Sequence, residues 1–449
     1  MSLLFNIIMQ HTPEKVALAE EGYSICYGDL PDLVRSRSER IKQYRCVALS
    51  MNNEIEWILW DLAALAANVT LVPLPPFFTR EQRDHALKSS GCDAIITPDG
   101  LIPLPGLPVS LPHGTAKITY TSGTTGTPKG VCLSAQAMNN VAQSIVDVLG
   151  KDMAGLHASV LPLGVLLENV AGVYATLMAG GTVVLNHLQI FGKNYENLHH
   201  VIKTSGATSV ILVPEILRIL MAQILEKGSL PSLKYVAVGG SKVSPTLVTQ
   251  ARALGLPVYE GYGLSECASV VALNTPQNDM VGSVGKLLPH VSAAIENGEI
   301  VTRNTGFLGY VGETAPDHIH TGDLGEIDAQ GFLRITGRKK NVLITSYGRN
   351  VAPEWVESEL LSQPEIAQAV VYGDGESALS AFIVPSSAAA QVADGIDRAN
   401  ARLPDYAQVK VFTLVPPFSP DDGTLTGTGR PRRSRIFQLY QKENTHVVL

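Results

Sequence analysis

Through residue 238 of this 449-residue chain, short β-branched apolar runs alternate with longer segments of helical periodicity. Residues 46–50, 70–74, 94–97, 208–213 and 235–238 read as buried strands, with 55–67, 79–90 and 214–227 as helices between them. The helix at 79–90 carries a start signal, because Thr79 can cap it while Glu81 and Gln82 fall in its first turn. Strands that are apolar on both faces need cover on both sides. The alternation therefore predicts helices layered on mostly parallel sheets. Near Ile300 the texture changes: glycines and charges rise, and residues 299–302, 326–328 and 332–336 read as half-exposed antiparallel strands. A polar break at 337–341 leads to a unit of small-domain size, with a helix at 353–361 and strands at 369–372 and 381–384.

With 45% hydrophobic and 17% charged residues the chain is a folded globular protein. Its net charge of -7 gives no electrostatic reason to expect a nucleic-acid partner. The five cysteines, Cys26, Cys46, Cys92, Cys132 and Cys267, have no CxxC spacing, which argues against a zinc site or disulfide framework and for a reducing compartment. The first ten residues lack the basic region and cleavage site of a signal peptide. Residues 159–185 are apolar enough to suggest a membrane span, but Glu168 and Asn169 interrupt them and Gly180-Gly181 breaks them. A buried helix followed by a buried strand is expected there, and a cytoplasmic protein without a membrane span.

The segment most suggestive of chemistry follows a strand end at 118–120. Thr121, Ser122, Gly123, Thr124, Thr125, Gly126 and Thr127 supply five hydroxyls and two glycines, and Pro128-Lys129-Gly130 adds a positive charge. Glycines allow close backbone approach, hydroxyls and N–H groups donate to phosphate oxygens, and Lys129 complements their charge. It is not a Walker A loop, since Pro128 and Gly130 flank the lysine where that motif needs Gly and Ser/Thr. On residue types alone, a Gly/Ser/Thr-rich surface loop fits as well.

The whole string 120–130 resembles the signature loop of the adenylate-forming superfamily, which includes acyl-CoA synthetases, peptide-synthetase adenylation domains and firefly luciferase. Other segments follow in the family's order. Gly261, Tyr262, Gly263, Leu264, Ser265 and Glu266 look like its YGx[ST]E motif, in which the tyrosine lies against adenine and the glutamate holds Mg²⁺. Gly239, Gly240 and Ser241 resemble the segment lying along the adenine. His320-Thr-Gly-Asp323 matches the TGD whose aspartate accepts from the ribose hydroxyls, and Arg338 matches the arginine near ribose and phosphate. Lys340 falls at the hinge position. The resemblance implies a large N-terminal α/β domain, residues 1–339, with a small β-barrel-like part, and a small mobile α+β C-terminal domain, residues 340–449. It implies ATP and Mg²⁺ as cofactors and acyl-adenylate formation from a small-molecule carboxylic acid. Transfer follows to a thiol of CoA or of phosphopantetheine on an acyl carrier protein, with the segment around Arg349 presented to that thiol. Residues 161–169 and 424–433 are similar to segments of long-chain acyl-CoA synthetases, which favours a fatty acid.

Two positions depart from the family. Gly164-Val165 replaces an aromatic/histidine pair, which leaves room for a larger acyl group or fills a core. Arg430 stands where the family carries the lysine that bridges carboxylate and α-phosphate, a broad planar cation in place of a compact one. Arg432, Arg433 and Arg435 nearby read as solvated charge. An amine acceptor is an alternative, and so is a binding protein with impaired catalysis.

Overall fold

The computed structural model describes residues 3–121, 128–150, 155–186, 195–303, 305–386, 391–426, 429–440 and 447–448. Two large mixed sheets carry the first half. The nine-stranded sheet orders its strands Lys286–Leu287, Ser269–Leu273, Val258–Leu264, Tyr235–Val238, Ser209–Leu212, Leu156–Ser159, Thr182–Leu185, Val16–Glu20 and Tyr23–Cys26. Its central pairs are parallel. Both edges are antiparallel, and the two-residue link from Val16–Glu20 to Tyr23–Cys26 and the four-residue link from Val258–Leu264 to Ser269–Leu273 are too short for a crossover. The seven-stranded sheet runs Phe307–Tyr310, Lys129–Ser134, Thr115–Thr121, Thr70–Pro73, Cys46–Leu49, Ala94–Thr97 and Gly100–Pro103. The last of these adds an edge by pairing antiparallel with Ala94–Thr97.

Local signals act as the sequence predicts. Helix Arg80–Ser90 begins in a capping box, with Thr79 and Gln82 each bonding the other's backbone N–H, and ends at Gly91 in the left-handed conformation. Helix Pro214–Lys227 starts on its proline. Residues 159–185 resolve into the π-helical turn Leu167–Tyr174, helix Ala175–Met178 and strand Thr182–Leu185. Among the described residues no helix is long and apolar enough to cross a membrane.

Helix Ile55–Ala67 is buried on nearly every face, which carries Asp61 into the core. There it meets Lys117 from strand Thr115–Thr121 at 2.7 Å, and both side chains are 1% exposed. Asn169 and Tyr174 of the π-helical turn each donate to the other carboxylate oxygen at 2.8 Å. Lys117 itself donates to Asn169 and Tyr174. Burial lowers the lysine pKa while Asp61 raises it, so the ammonium depends on its partner.

The β-barrel-like part is an open four-stranded antiparallel sheet of Ser292–Glu296, Glu299–Arg303, Ile319–Ile327 and Leu333–Arg338. After it come helix Pro353–Leu361 and a mixed sheet of Ile366–Tyr372, Leu379–Pro385, Val409–Leu414 and Val447–Val448. These pack around their own core, which includes Val356, Leu360, Ile383, Ile396 and Phe412. Arg433, expected to be solvated, is instead clamped: its guanidinium donates to both oxygens of Glu357 at 2.5 and 2.6 Å. Glu357 is buried in helix Pro353–Leu361, and an unpaired carboxylate there would be costly.

Asp61→Asn leaves the buried ammonium without its counter-charge and should cost about 3–5 kcal/mol in urea unfolding. The double variant Asp61→Leu/Lys117→Met should lose less than Asp61→Asn alone.

Candidate functional site

The hairpin of Thr115–Thr121 and Lys129–Ser134 places Thr121 directly opposite Lys129, so the phosphate-loop segment closes at its base. Ser122, Gly123, Thr124, Thr125, Gly126 and Thr127 lie outside the described residues. Helix Arg80–Ser90 braces the base: Tyr120 Oη and Ser89 Oγ are 2.6 Å apart, and His85 Nε2 lies 3.0 Å from the Pro128 carbonyl. Lys129 Nζ sits 4.7 Å over the Tyr310 ring and 3.6 Å from Glu313. The Tyr310 hydroxyl donates to Glu266 Oε1 at 2.8 Å, so Tyr310 joins the loop's lysine to the carboxylate expected to hold metal.

Glu266 lies in the short turn Ser265–Cys267 after strand Val258–Leu264. Beyond it Ala268 and Ser269 have φ of 57° and 137°, and a Cβ on Gly263 would meet the Ser269 carbonyl at 1.8 Å. Only glycine fits there, so Gly263 is required by the fold of this turn before any ligand is considered. Tyr262, one residue earlier, donates its hydroxyl to Asp323 Oδ2 at 2.7 Å. Asp323 faces Arg338 across the four-stranded sheet and accepts from its Nε at 2.6 Å. Tyr262, Asp323 and Arg338 thus form one contiguous group.

Gly239, Gly240 and Ser241 follow strand Tyr235–Val238, and a Cβ on Gly239 would lie 3.0 Å from the Gly261 carbonyl. Gly240 has φ of 85°, in the left-handed region, with its carbonyl turned towards the C-terminal part of the chain. There it accepts from Arg430 Nη2 at 2.7 Å. Desolvation of the guanidinium and the neighbouring Arg338 cation both lower the Arg430 pKa, while Asp323 raises it. Arg430, Arg338 and Asp323 are therefore electrostatic neighbours although drawn from separate domains. Arg349 is placed differently, with its guanidinium 5.6 Å over the ring of Tyr406.

The segment carrying Gly164-Val165 is pinned by Asn53, whose amide donates to the Leu161 carbonyl at 2.6 Å and accepts from Leu163 N–H at 2.9 Å. A Cβ on Gly164 would sit 3.1 Å from Pro75 Cγ, so the glycine permits close packing there. Glu168 is buried against His157 Nε2 at 2.9 Å.

Three supporting residues escaped the sequence reading. Glu299 accepts from the Gly322 N–H at 2.9 Å and pairs with Lys339 at 3.1 Å, fixing the turn that carries Asp323. Tyr310 and Glu260 are the others. No motif marks any of them, since each meets its partner across a gap in sequence. Glu260 accepts from the Gly282 N–H at 2.9 Å and lies near Lys242, Arg252 and Asp279. Burial pushes its carboxyl up from 4.5 to about 7, against the pull of that hydrogen bond and the two cations.

No group of three or more potential metal ligands occurs among the described residues. A single carboxylate such as Glu266 nonetheless suits Mg²⁺, an ion that keeps waters and substrate phosphates as its other ligands.

The family described as "AMP-binding enzyme" matches residues 5–113 and 105–313, and "AMP-binding enzyme C-terminal domain" matches 340–447. A probable CoA ligase, CCL9, from Humulus lupulus is 27% identical over 461 residues, covering 88% of this chain and 86% of the relative. The long-chain-fatty-acid–CoA ligase FadD15 of Mycobacterium bovis is also 27% identical, over 73% of this chain and 68% of its own length. The solved structure of o-succinylbenzoate CoA synthetase from Bacillus subtilis with its acyl-adenylate intermediate superposes with TM-score 0.82 at 23% identity, covering 97% of this chain and 98% of that one. That likeness bears on the fold.

A protonated Glu260 is tolerated in the folded protein and an ionised one is penalised, so its contribution falls as pH rises from 4.5 to about 7. Glu260→Gln keeps an acceptor for Gly282. Its melting temperature relative to the parent should rise between pH 5 and pH 8, by calorimetry.

Proposed function

We propose that this chain, which belongs to the AMP-binding enzyme family and is an AMP-forming acid–thiol ligase of the acyl-CoA synthetase type, activates a fatty acid and passes it to the thiol of CoA or of a carrier-protein phosphopantetheine. The observation that carries the residue assignments is the reach of Arg430 to the Gly240 carbonyl, beside Asp323 and Arg338.

In this reading the loop from Thr121 to Lys129 cradles the β- and γ-phosphates of ATP. Asp323 takes the ribose hydroxyls: a carboxylate is acceptor-only and has capacity beyond the bonds from Tyr262 and Arg338. Gly239, Gly240, Ser241, Gly261, Tyr262, Gly263 and Ser265 line the adenine. Glu266, with one oxygen held by Tyr310, would hold Mg²⁺, which when bound neutralises phosphate charge. The substrate carboxylate attacks the α-phosphorus in line and pyrophosphate leaves, a step that needs positioning and charge more than covalent help. Arg430 supplies a fixed positive charge where negative charge builds up. For the second step the small domain turns about Lys340 and presents the Tyr347–Arg349 segment, whose Tyr347 is 77% exposed, to the thiol that displaces AMP.

The fatty-acid assignment rests on the similarity of segments 161–169 and 424–433 to long-chain acyl-CoA synthetases. The five free cysteines suit a reducing compartment, and we assign the protein to the cytoplasm.

With ATP, Mg²⁺ and hydroxylamine, dodecanoate should yield pyrophosphate and hydroxamate, while 2-succinylbenzoate and oxalate should yield neither. The reverse order of acids would overturn the fatty-acid assignment, and no turnover with any acid would overturn the residue roles. Glu266→Gln should raise the KM for Mg-ATP about tenfold or more, as expected for loss of one charged ligand. Arg430→Lys should keep or raise adenylation, and Arg430→Ala should cut it.

A further inference from the structure

One bond from the Arg430 guanidinium to a neutral carbonyl cannot by itself hold a domain in place. A second, buried set of contacts lies a few residues along the same segment. Glu359, on helix Pro353–Leu361 of the small domain, is 6% exposed, yet the groups facing its carboxylate come largely from the large domain. Ser244 Oγ donates to Oε1 at 3.0 Å and Thr246 Oγ1 approaches Oε2 at 3.4 Å. Arg402, of the small domain, reaches Thr246 Oγ1 at 3.2 Å and lies 3.9 Å from Glu359. Two residues beyond Glu359 on its helix, the Leu361 carbonyl accepts from Arg218 of the large domain at 3.0 Å. Ser244 also accepts from the Thr246 N–H at 3.1 Å as the cap of helix Pro245–Ala253, so its hydroxyl is oriented before the domains meet.

We propose that Glu359 and Ser244 form an interdomain latch that positions Arg430 for adenylation. The inference rests on the role given to Arg430 above. The chemistry of the latch suits a contact that must open. A carboxylate buried against two hydroxyls, with a guanidinium 3.9 Å away, regains in hydrogen bonds a little more than its desolvation costs, so docking is held by a small margin and can reopen. Yet the geometry is specific: the Gly240 carbonyl and the Ser244 hydroxyl belong to one short segment, and registering Glu359 on Ser244 sets Arg430 on Gly240. Glu359 is thus a positioning residue, acting on the reaction through Arg430.

The test separates the two half-reactions in the full-length protein. Glu359→Ala should slow single-turnover pyrophosphate release about tenfold, the worth of one hydrogen bond to a charged group. It should leave the KM for ATP, the melting temperature and thioester formation from supplied acyl-adenylate unchanged. Glu359→Gln, which keeps an oxygen facing Ser244, should restore most of the rate. In an Arg430→Ala background, Glu359→Ala should add no further loss. An additive loss, an equal fall in both half-reactions, or no effect from Glu359→Ala would each overturn the latch while leaving the Arg430 assignment standing. An Arg430→Ala protein with intact adenylation would overturn the assignment itself, and the latch with it.

Discussion

The Lys117–Asp61 pair is the constraint around which the first half of the molecule is built. Neither charge has access to water, so each is tolerable only with its whole set of partners in place. Those partners come from helix Ile55–Ala67, strand Thr115–Thr121 and the π-helical turn Leu167–Tyr174, and they can be satisfied together in one registration of the three elements. Strand Thr115–Thr121 runs on to Thr121, where the hairpin faces Lys129. A buried charge pair thereby sets the base of the loop proposed to meet phosphate, with Tyr120 and Pro128 braced from the side by helix Arg80–Ser90.

The site itself is assembled at a seam. Tyr262 comes from the nine-stranded sheet, Asp323 and Arg338 from the four-stranded sheet, Tyr310 and Lys129 from the seven-stranded sheet, and Arg430 from the C-terminal unit. Polar side chains at such a junction can be satisfied across it, and Asp323 is the clearest case: it is nearly buried, takes one bond from each of two neighbours, and its turn is held by Glu299. The same physics serves the interface with the small domain, where the Glu359 carboxylate gains Ser244 and the Gly240 carbonyl gains Arg430 across the junction.

Much of this was legible along the chain. Helices Ile55–Ala67, Pro214–Lys227 and Pro353–Leu361 run where periodicity, a proline at the first turn or a sharp break in composition put them, since those signals act within a few residues. Strand Gly100–Pro103 was not legible, because its pairing partner rather than its own composition makes it a strand. Arg433 reads as solvated in a basic tail, and Glu357, far back in sequence, makes it a half-buried clamp. Among the site residues, resemblance to the family's motifs pointed to Tyr262, Glu266, Asp323 and Arg338. Tyr310, Glu299, Ser244 and Glu359 carry no such mark, because a hydrogen bond between distant segments leaves no period in either one.

By itself the sequence determined which segments must be buried, where helices begin, and which loop has residue types able to meet phosphate, all from local composition and spacing; the ribose and metal assignments came from the resemblance of its motifs to those of a known family. Tertiary structure alone decided that Arg430, an unusual cation in a basic tail, lies on the Gly240 carbonyl beside Asp323 and Arg338. It also decided that Gly263 answers to the backbone of Ser269 before any ligand, and that Arg349 rests on Tyr406. The reason is the same in each case: such placements are set by contacts between segments whose separation in the chain carries no energetic information until the sheets and the two domains have packed.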